Sequence, residues 1–185
     1  MSLAEVRGLL SPKRKDKHLL LLALESDMRD SLLIKKIMVE GLGWLITLVI
    51  LALVLLPIYT QIGSAYLFYF DNTMFVLIGV TFLRYMFLLS YHWLSSSKWL
   101  KALFIFVPIP IFFYLLGALY EFQAYSDEVG LGEMLSTLSH ESEVSLRKYI
   151  KSEMLLFWAM AFLSNLYMPI RMILSLWREV NKGYH

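Results

Sequence analysis

Apolar residues gather in four stretches of about twenty, roughly 42–62, 73–93, 101–120 and 153–174. Each is the length that carries an α-helix across the hydrocarbon core of a bilayer. Ahead of them a weaker pattern places Leu21, Leu24, Met28 and Leu32 at helical spacing, after the basic break SPKRKDK. Ser2 and Glu5 form a capping-box pair near the start. The pattern predicts an all-α integral membrane protein with four transmembrane helices. Residues 1–40 form an amphipathic arm, 41–178 the bundle with a loop at 121–152, and 179–185 a short tail. The loop is expected to hold one or two short helices, one of them capped by Ser126.

Composition sharpens this picture. Hydrophobic residues make up 58% of 185, more than a soluble globule of this size carries. The first apolar run begins too late and runs too long for a secretory signal and is expected to remain in the mature protein. The chain has no cysteine, so disulfides, thiolate metal sites and cysteine nucleophiles are excluded. A net charge of +2 gives no electrostatic reason to expect nucleic acid contact. The distribution of charge says more than its sum. Arg7, Lys13, Arg14, Lys15, Lys17, Arg29, Lys35 and Lys36 precede the first span, Lys98 and Lys101 lie between the second and third, and Arg178 and Lys182 follow the fourth. The opposite side has no basic residue between spans one and two, and in its long loop Arg147, Lys148 and Lys151 are diluted by acids. The positive-inside rule therefore predicts both termini on the cytoplasmic side of a plasma (inner) membrane. Trp44, Trp93, Trp99 and Trp177 fall at the predicted inner interface and Tyr66, Tyr69, Tyr120 and Tyr125 at the outer one, the placement amphipathic rings prefer.

Two sets of residues inside the spans call for explanation. Arg84 lies near the middle of the second span with no acid in the middle of any other. Counted by depth, Ser164, Asn165 and Tyr114 lie near it, and Pro57 frees the carbonyl of Leu53 at a similar level. These residues predict a polar layer halfway through the bundle, with the guanidinium leaning outward onto neutral acceptors such as Asn165. On neutral acceptors alone, lysine would serve no better than leucine at this position. The layer is read either as a structural clamp or as an ion path. Pro108, Pro110 and Pro169 form the second set; they are expected to kink spans three and four, as packing features or as hinges.

Other chemistry finds no support. There is no phosphate loop, dinucleotide fingerprint or His-Glu-x-x-His, and Ser95 to Lys98 matches Ser-x-x-Lys without its companion motifs. His140 beside Glu141 and Glu143 follows no standard ligand spacing, so neither metal nor cofactor is expected. Four helices with both ends inside and a basic arm are similar, in topology, to the immunity proteins for pore-forming colicins and to membrane subunits of phage-defence systems such as Kiwa. The expectation is a non-enzymatic inner-membrane scaffold or sensor that oligomerises, in a defence or immunity setting. Lys13, Arg14, Lys15 and Lys17 would meet anionic lipid, and Leu21, Leu24, Met28 and Leu32 a cytosolic protein. The alternative is a small channel or transporter built on Arg84 and the kinked helices.

Overall fold

The computed structural model describes residues 14–88 and 98–181. Lys13, the Ser2 and Glu5 pair, His92, Trp93, the 95–97 connector and the last residues assigned to the second span lie outside them, as do the side chains of Arg14, Lys15 and Lys17. Among the described residues there are six α-helices and no strand: α1 Arg14–Ile62, α2 Tyr69–Leu88, α3 Lys98–Phe106, α4 Pro108–Glu128, α5 Gly132–Leu135 and α6 His140–Asn181. A 3-10 turn, Gly63–Ala65, joins α1 to α2. Four segments are long and apolar enough to cross a membrane: Leu24–Ala65, Tyr69–Leu88, Trp99–Glu128 and His140–Arg178.

The arm and the first span, read from sequence as separate units, form one helix of 49 residues. Its leucines, methionines, glutamates and lysines are good helix formers, and no proline interrupts it before Pro57. At 1.5 Å per residue it measures about 74 Å, more than twice the thickness of a bilayer's hydrocarbon core. It stops at Gly63, whose φ of 51° is a left-handed conformation that suits a residue without a side chain.

α2 is the central helix. Asn72, Phe75, Val76, Ile78, Gly79, Phe82 and Tyr85 along it are buried, and its main partner is α6, with α1 also against it. The two axes approach closely at Gly79. A Cβ there would lie 2.8 Å from Met160 Cε and 3.2 Å from the Ala161 backbone nitrogen. Phe75, Ile58, Leu115, Met154, Met168 and Met172 complete a core from which water is excluded. Side chains facing away from it, among them Leu53, Phe70, Phe113, Leu156 and Ile170, are large, apolar and exposed. Such a surface suits a lipid solvent and is costly in water.

Proline shapes the third span. The helix breaks at Val107, immediately ahead of Pro108, so the span consists of α3 and α4 in series. α6, by contrast, runs through Pro169 without a break in its assignment. At the loop end, α4 extends to Glu128, which places Ser126 inside the helix and removes it as a cap. Gly130, with φ 84°, ends α4 by donating its N–H to the Tyr125 carbonyl at 2.9 Å. The fourth span starts earlier than its apolar run, because Ser139 caps α6: the Ser142 N–H donates to Ser139 Oγ at 3.5 Å, and Glu141 and Glu143 fall in the positive first turn.

The contact at Gly79 sets a test of the α2 to α6 seam. Gly79→Val is expected to destabilise the protein in detergent by about 1–3 kcal/mol through overpacking. Gly117→Ala, where a Cβ meets nothing within 4 Å, is expected to hold or raise the unfolding temperature, as measured by thermal unfolding of both variants.

Candidate functional site

Arg84 is not satisfied by neutral acceptors. Its Nη2 donates to Glu40 Oε1 at 2.9 Å, forming an ion pair whose side chains are only 10% and 14% exposed. Nη1 reaches Thr47 Oγ1 at 3.5 Å, and the Thr47 hydroxyl in turn donates to the Gly43 carbonyl at 2.8 Å. The Tyr85 hydroxyl donates to the same Glu40 oxygen at 2.9 Å. The guanidinium carbon also lies 5.6 Å from the ring centroids of both Trp44 and Tyr85, within cation–π range.

The local sequence makes room for this arrangement. A Cβ on Gly43 would fall 2.3 Å from Arg84 Nη1, so glycine is what lets the guanidinium lie flat against the α1 backbone. Counted from the turn that joins the two helices, Arg84 is level with Thr47, and Gly43 and Glu40 lie one and two turns further toward the arm. The side chain therefore reaches toward the arm end, against the outward lean that helix geometry favours, because the carboxylate is there. The acid stands two residues before the first apolar run as marked from sequence, outside the span but within reach of a long side chain.

The expected polar layer divides into separate contacts. Asn165 Nδ2 donates to the Pro108 carbonyl at 3.0 Å, at the break between α3 and α4. The Ser164 hydroxyl donates to the Ala161 carbonyl of its own helix at 3.1 Å. The Tyr114 hydroxyl donates to Asp71 Oδ1 at 2.7 Å, at the loop end. None of the three hydrogen-bonds to Arg84. Near Pro57, the Thr60 hydroxyl turns back onto the Leu56 and Pro57 carbonyls and the Tyr149 hydroxyl donates to the Val54 carbonyl at 2.9 Å. Pro108, Pro169 and Asn165 are among the residues that line an apolar groove of about 260 Å³; Pro110 lies exposed in the first turn of α4. On the arm, Leu21, Leu24, Met28 and Leu32 are all exposed.

Sequence reasoning missed two further elements. Arg171 Nε donates to the Met86 carbonyl at 3.1 Å, tying α6 to α2 near the Arg84 pair. At the opposite end, Glu153 on α6 is 6% exposed and accepts a short hydrogen bond from Asn72 Nδ2, which also reaches the Tyr66 hydroxyl at 3.4 Å. Burial, and then the nearby carboxylate, push the Tyr66 phenol well above its ordinary value, so it remains a neutral hydroxyl. Glu40 could have been found from the sequence: a connection as short as 63–68 fixes the level of two antiparallel helices, and that level brings residue 40 within reach of residue 84.

The pairing changes what substitutions at residue 84 should do. Arg84→Leu and Glu40→Leu are each expected to lower stability in detergent by up to about 3–5 kcal/mol, because each removes one member of a largely buried ion pair. The double variant is expected to regain most of that loss. Arg84→Lys keeps an ion pair and should be milder than Arg84→Leu, the reverse of the order set by neutral acceptors. Additive losses in the double variant, read from unfolding curves, would rule out the pair.

The chain matches no family model, no curated protein and no solved structure, so its functional reading rests on this geometry: a charged clamp at the arm end of the bundle and a buried carboxyl at the other.

Proposed function

We propose that the protein is a non-enzymatic membrane scaffold that carries a rigid helical arm into the cytoplasm and presents it to a soluble protein partner. The observation that carries this reading is the continuity of α1 across the boundary between arm and span, together with the Glu40 and Arg84 pair at that boundary. Because the junction is helical and pinned to α2, the arm moves with the second span as one body. From Glu40 to Arg14 the arm measures about 40 Å. A tilt of roughly 10° about the clamp displaces its tip by about 7 Å, on the scale of a helix diameter.

The orientation follows from charge and aromatic placement. Lys35 and Lys36 lie on the arm, and Trp44, Trp99 and Trp177 are exposed at the arm end. Exposed Tyr120 lies toward the other end. The basic side is taken as the cytoplasmic side, and the tryptophans mark its membrane interface. The partner surface is the arm itself, where Leu21, Leu24, Met28 and Leu32 stand clear of the bundle. The pairing of Arg84 weighs against the channel reading, since a neutralised guanidinium supplies no field to draw an ion.

Single cysteines in this cysteine-free chain test the topology. Cysteine at Ser136 is expected to react with an impermeant thiol reagent in intact cells, and cysteine at Ser31 only after permeabilisation. In the same cells a photo-crosslinker at Met28 should capture one soluble protein, and Leu24→Glu with Met28→Glu should abolish that capture while leaving the protein in the membrane. Purified protein in liposomes should carry no ion flux above empty vesicles. Labelling of Ser31 without permeabilisation, or robust flux, would replace the scaffold reading.

A further inference from the structure

We propose that Glu153 is a proton-binding site, and that one proton held there latches α2 to α6 at the loop end of the bundle. The argument starts from donors and acceptors. Glu153 Oε1 accepts from Asn72 Nδ2, and Glu153 Oε2 and Asn72 Oδ1 are both buried with no hydrogen-bond partner. Asn72 is fully buried and Glu153 is 6% exposed. The cluster thus has two acceptor oxygens in excess, and the Tyr66 hydroxyl, which accepts from Asn72 Nδ2, bonds to neither. A proton on Oε2 converts one of them into an O–H donor and removes the charge in the same step.

No cation does this work instead. Among the described residues, no lysine, arginine or histidine pairs with Glu153. From α2 and the turn before it, the titratable groups in the cluster are Tyr66, Tyr69 and Asp71; from α6 itself, Tyr149. From α4, Tyr114 is bonded to Asp71, and Glu121 lies beside that pair. α1 contributes the Val54 carbonyl through Tyr149 and exposed Tyr59 beside Tyr69. Beside α5, Arg147 is paired to Glu143. Lys151 is exposed and lines a groove with Asp127 on α4. These neighbours are acids or neutral hydroxyls, or cations already engaged or in solvent. A carboxylate buried without a counter-charge is neutralised by a proton rather than kept as an ion.

The reaction is a proton transfer: a hydronium ion at the loop end gives up a proton to Oε2 and is left as water, the Oε2–H bond forms, and the carboxylate becomes a carboxylic acid. Its position gives it a consequence. Asn72 and Glu153 sit on two closely packed helices, α2 and α6; the Asn72 Nδ2 bond to Oε1 joins them in either form, but the acid adds a donor at Oε2, whereas the ion leaves a buried charge among acceptors that repel it. The latch is therefore closed at lower pH and opens as pH rises through the ionisation of Glu153.

The test is infrared difference spectroscopy on the 185-residue chain in phosphatidylcholine nanodiscs. At neutral pH the wild type should show the C=O stretch of a protonated, buried carboxylic acid, shifted by ¹³C-labelled glutamate, lost on alkalinisation and absent from Glu153→Gln. Thermal stability should fall on alkalinisation in the wild type, while Glu153→Gln, a neutral isostere able to donate to Asn72, should lose that dependence. Should Glu153→Gln fail to fold, the ¹³C shift and alkaline loss of the wild-type band decide alone. A wild type with no such band at any pH where it is folded overturns the proposal, as does a band retained in folded Glu153→Gln. Sodium-dependent stabilisation at fixed pH in the wild type, without the band, assigns the site to a metal cation and also overturns it.

Discussion

A guanidinium has five N–H donors and a permanent charge, and inside a bundle of apolar helices it must find an anion or admit water. Much of the arm end follows from how Arg84 meets that demand. Its anion is Glu40, which belongs to α1, so the pair fixes α1 against α2 at one level. Gly43 leaves the space in which the guanidinium lies against the helix, and a Cβ there would force the arginine to shift. Thr47, Trp44 and Tyr85 surround it with an acceptor and two ring faces. Two residues along the same helix, the Met86 carbonyl receives Arg171 from α6, so the arm end of α2 is held from two sides.

The loop end is organised differently. There the polar contacts join α2 to its other neighbours through acids, Asp71 to Tyr114 on α4 and Asn72 to Glu153 on α6, with no arginine in either contact. The middle of the bundle is held by packing, through the Gly79 approach to Ala161, and buried Met154, Met168 and Met172 continue that packing along α6 toward both ends. The molecule thus has a charged clamp at one end, a hydrogen-bonded acid at the other and a close-packed seam between. Asn165 adds a link at the proline break, where it reaches the Pro108 carbonyl.

The four helices were legible because apolar length is a strong signal in a membrane segment. Pro108 was legible as a break because a missing N–H acts locally. What sequence could not show is where long side chains go. Arg84 was placed by depth within its own span, and its partner was sought at the same depth, whereas an arginine side chain reaches more than a turn along a neighbouring helix. Glu40 stands two residues before the first apolar run and Glu153 opens the fourth, so a search for acids in the middle of the spans passes over both. Such a search treats the edge of an apolar run as the edge of the buried region. Packing between helices does not respect that edge: α6 begins at His140, well before its apolar run, and buries Leu146 and Ile150 on the way. Ser126 failed as a cap for the related reason that α4 continues past its apolar residues to Glu128.

Why the junction is held by charge and not by more leucine follows from what packing alone can specify. Two antiparallel apolar helices in lipid gain little from one register over another, because lipid tails are as apolar as the side chains they replace. A slip of one turn, about 5.4 Å, would exchange one set of leucine contacts for another at small cost. The same slip would leave Arg84 and Glu40 both buried and apart, at a cost of several kcal/mol for each ion. A buried ion pair adds little net stability over a well-packed apolar substitute, but it penalises every arrangement except its own. For a helix whose outer half projects about 40 Å beyond the clamp, register is also aim: a rotation of 100° per residue slipped would turn the exposed face of the arm away from whatever it meets. The charge pair is therefore placed where an error in α1 would otherwise be carried along the whole length of the arm.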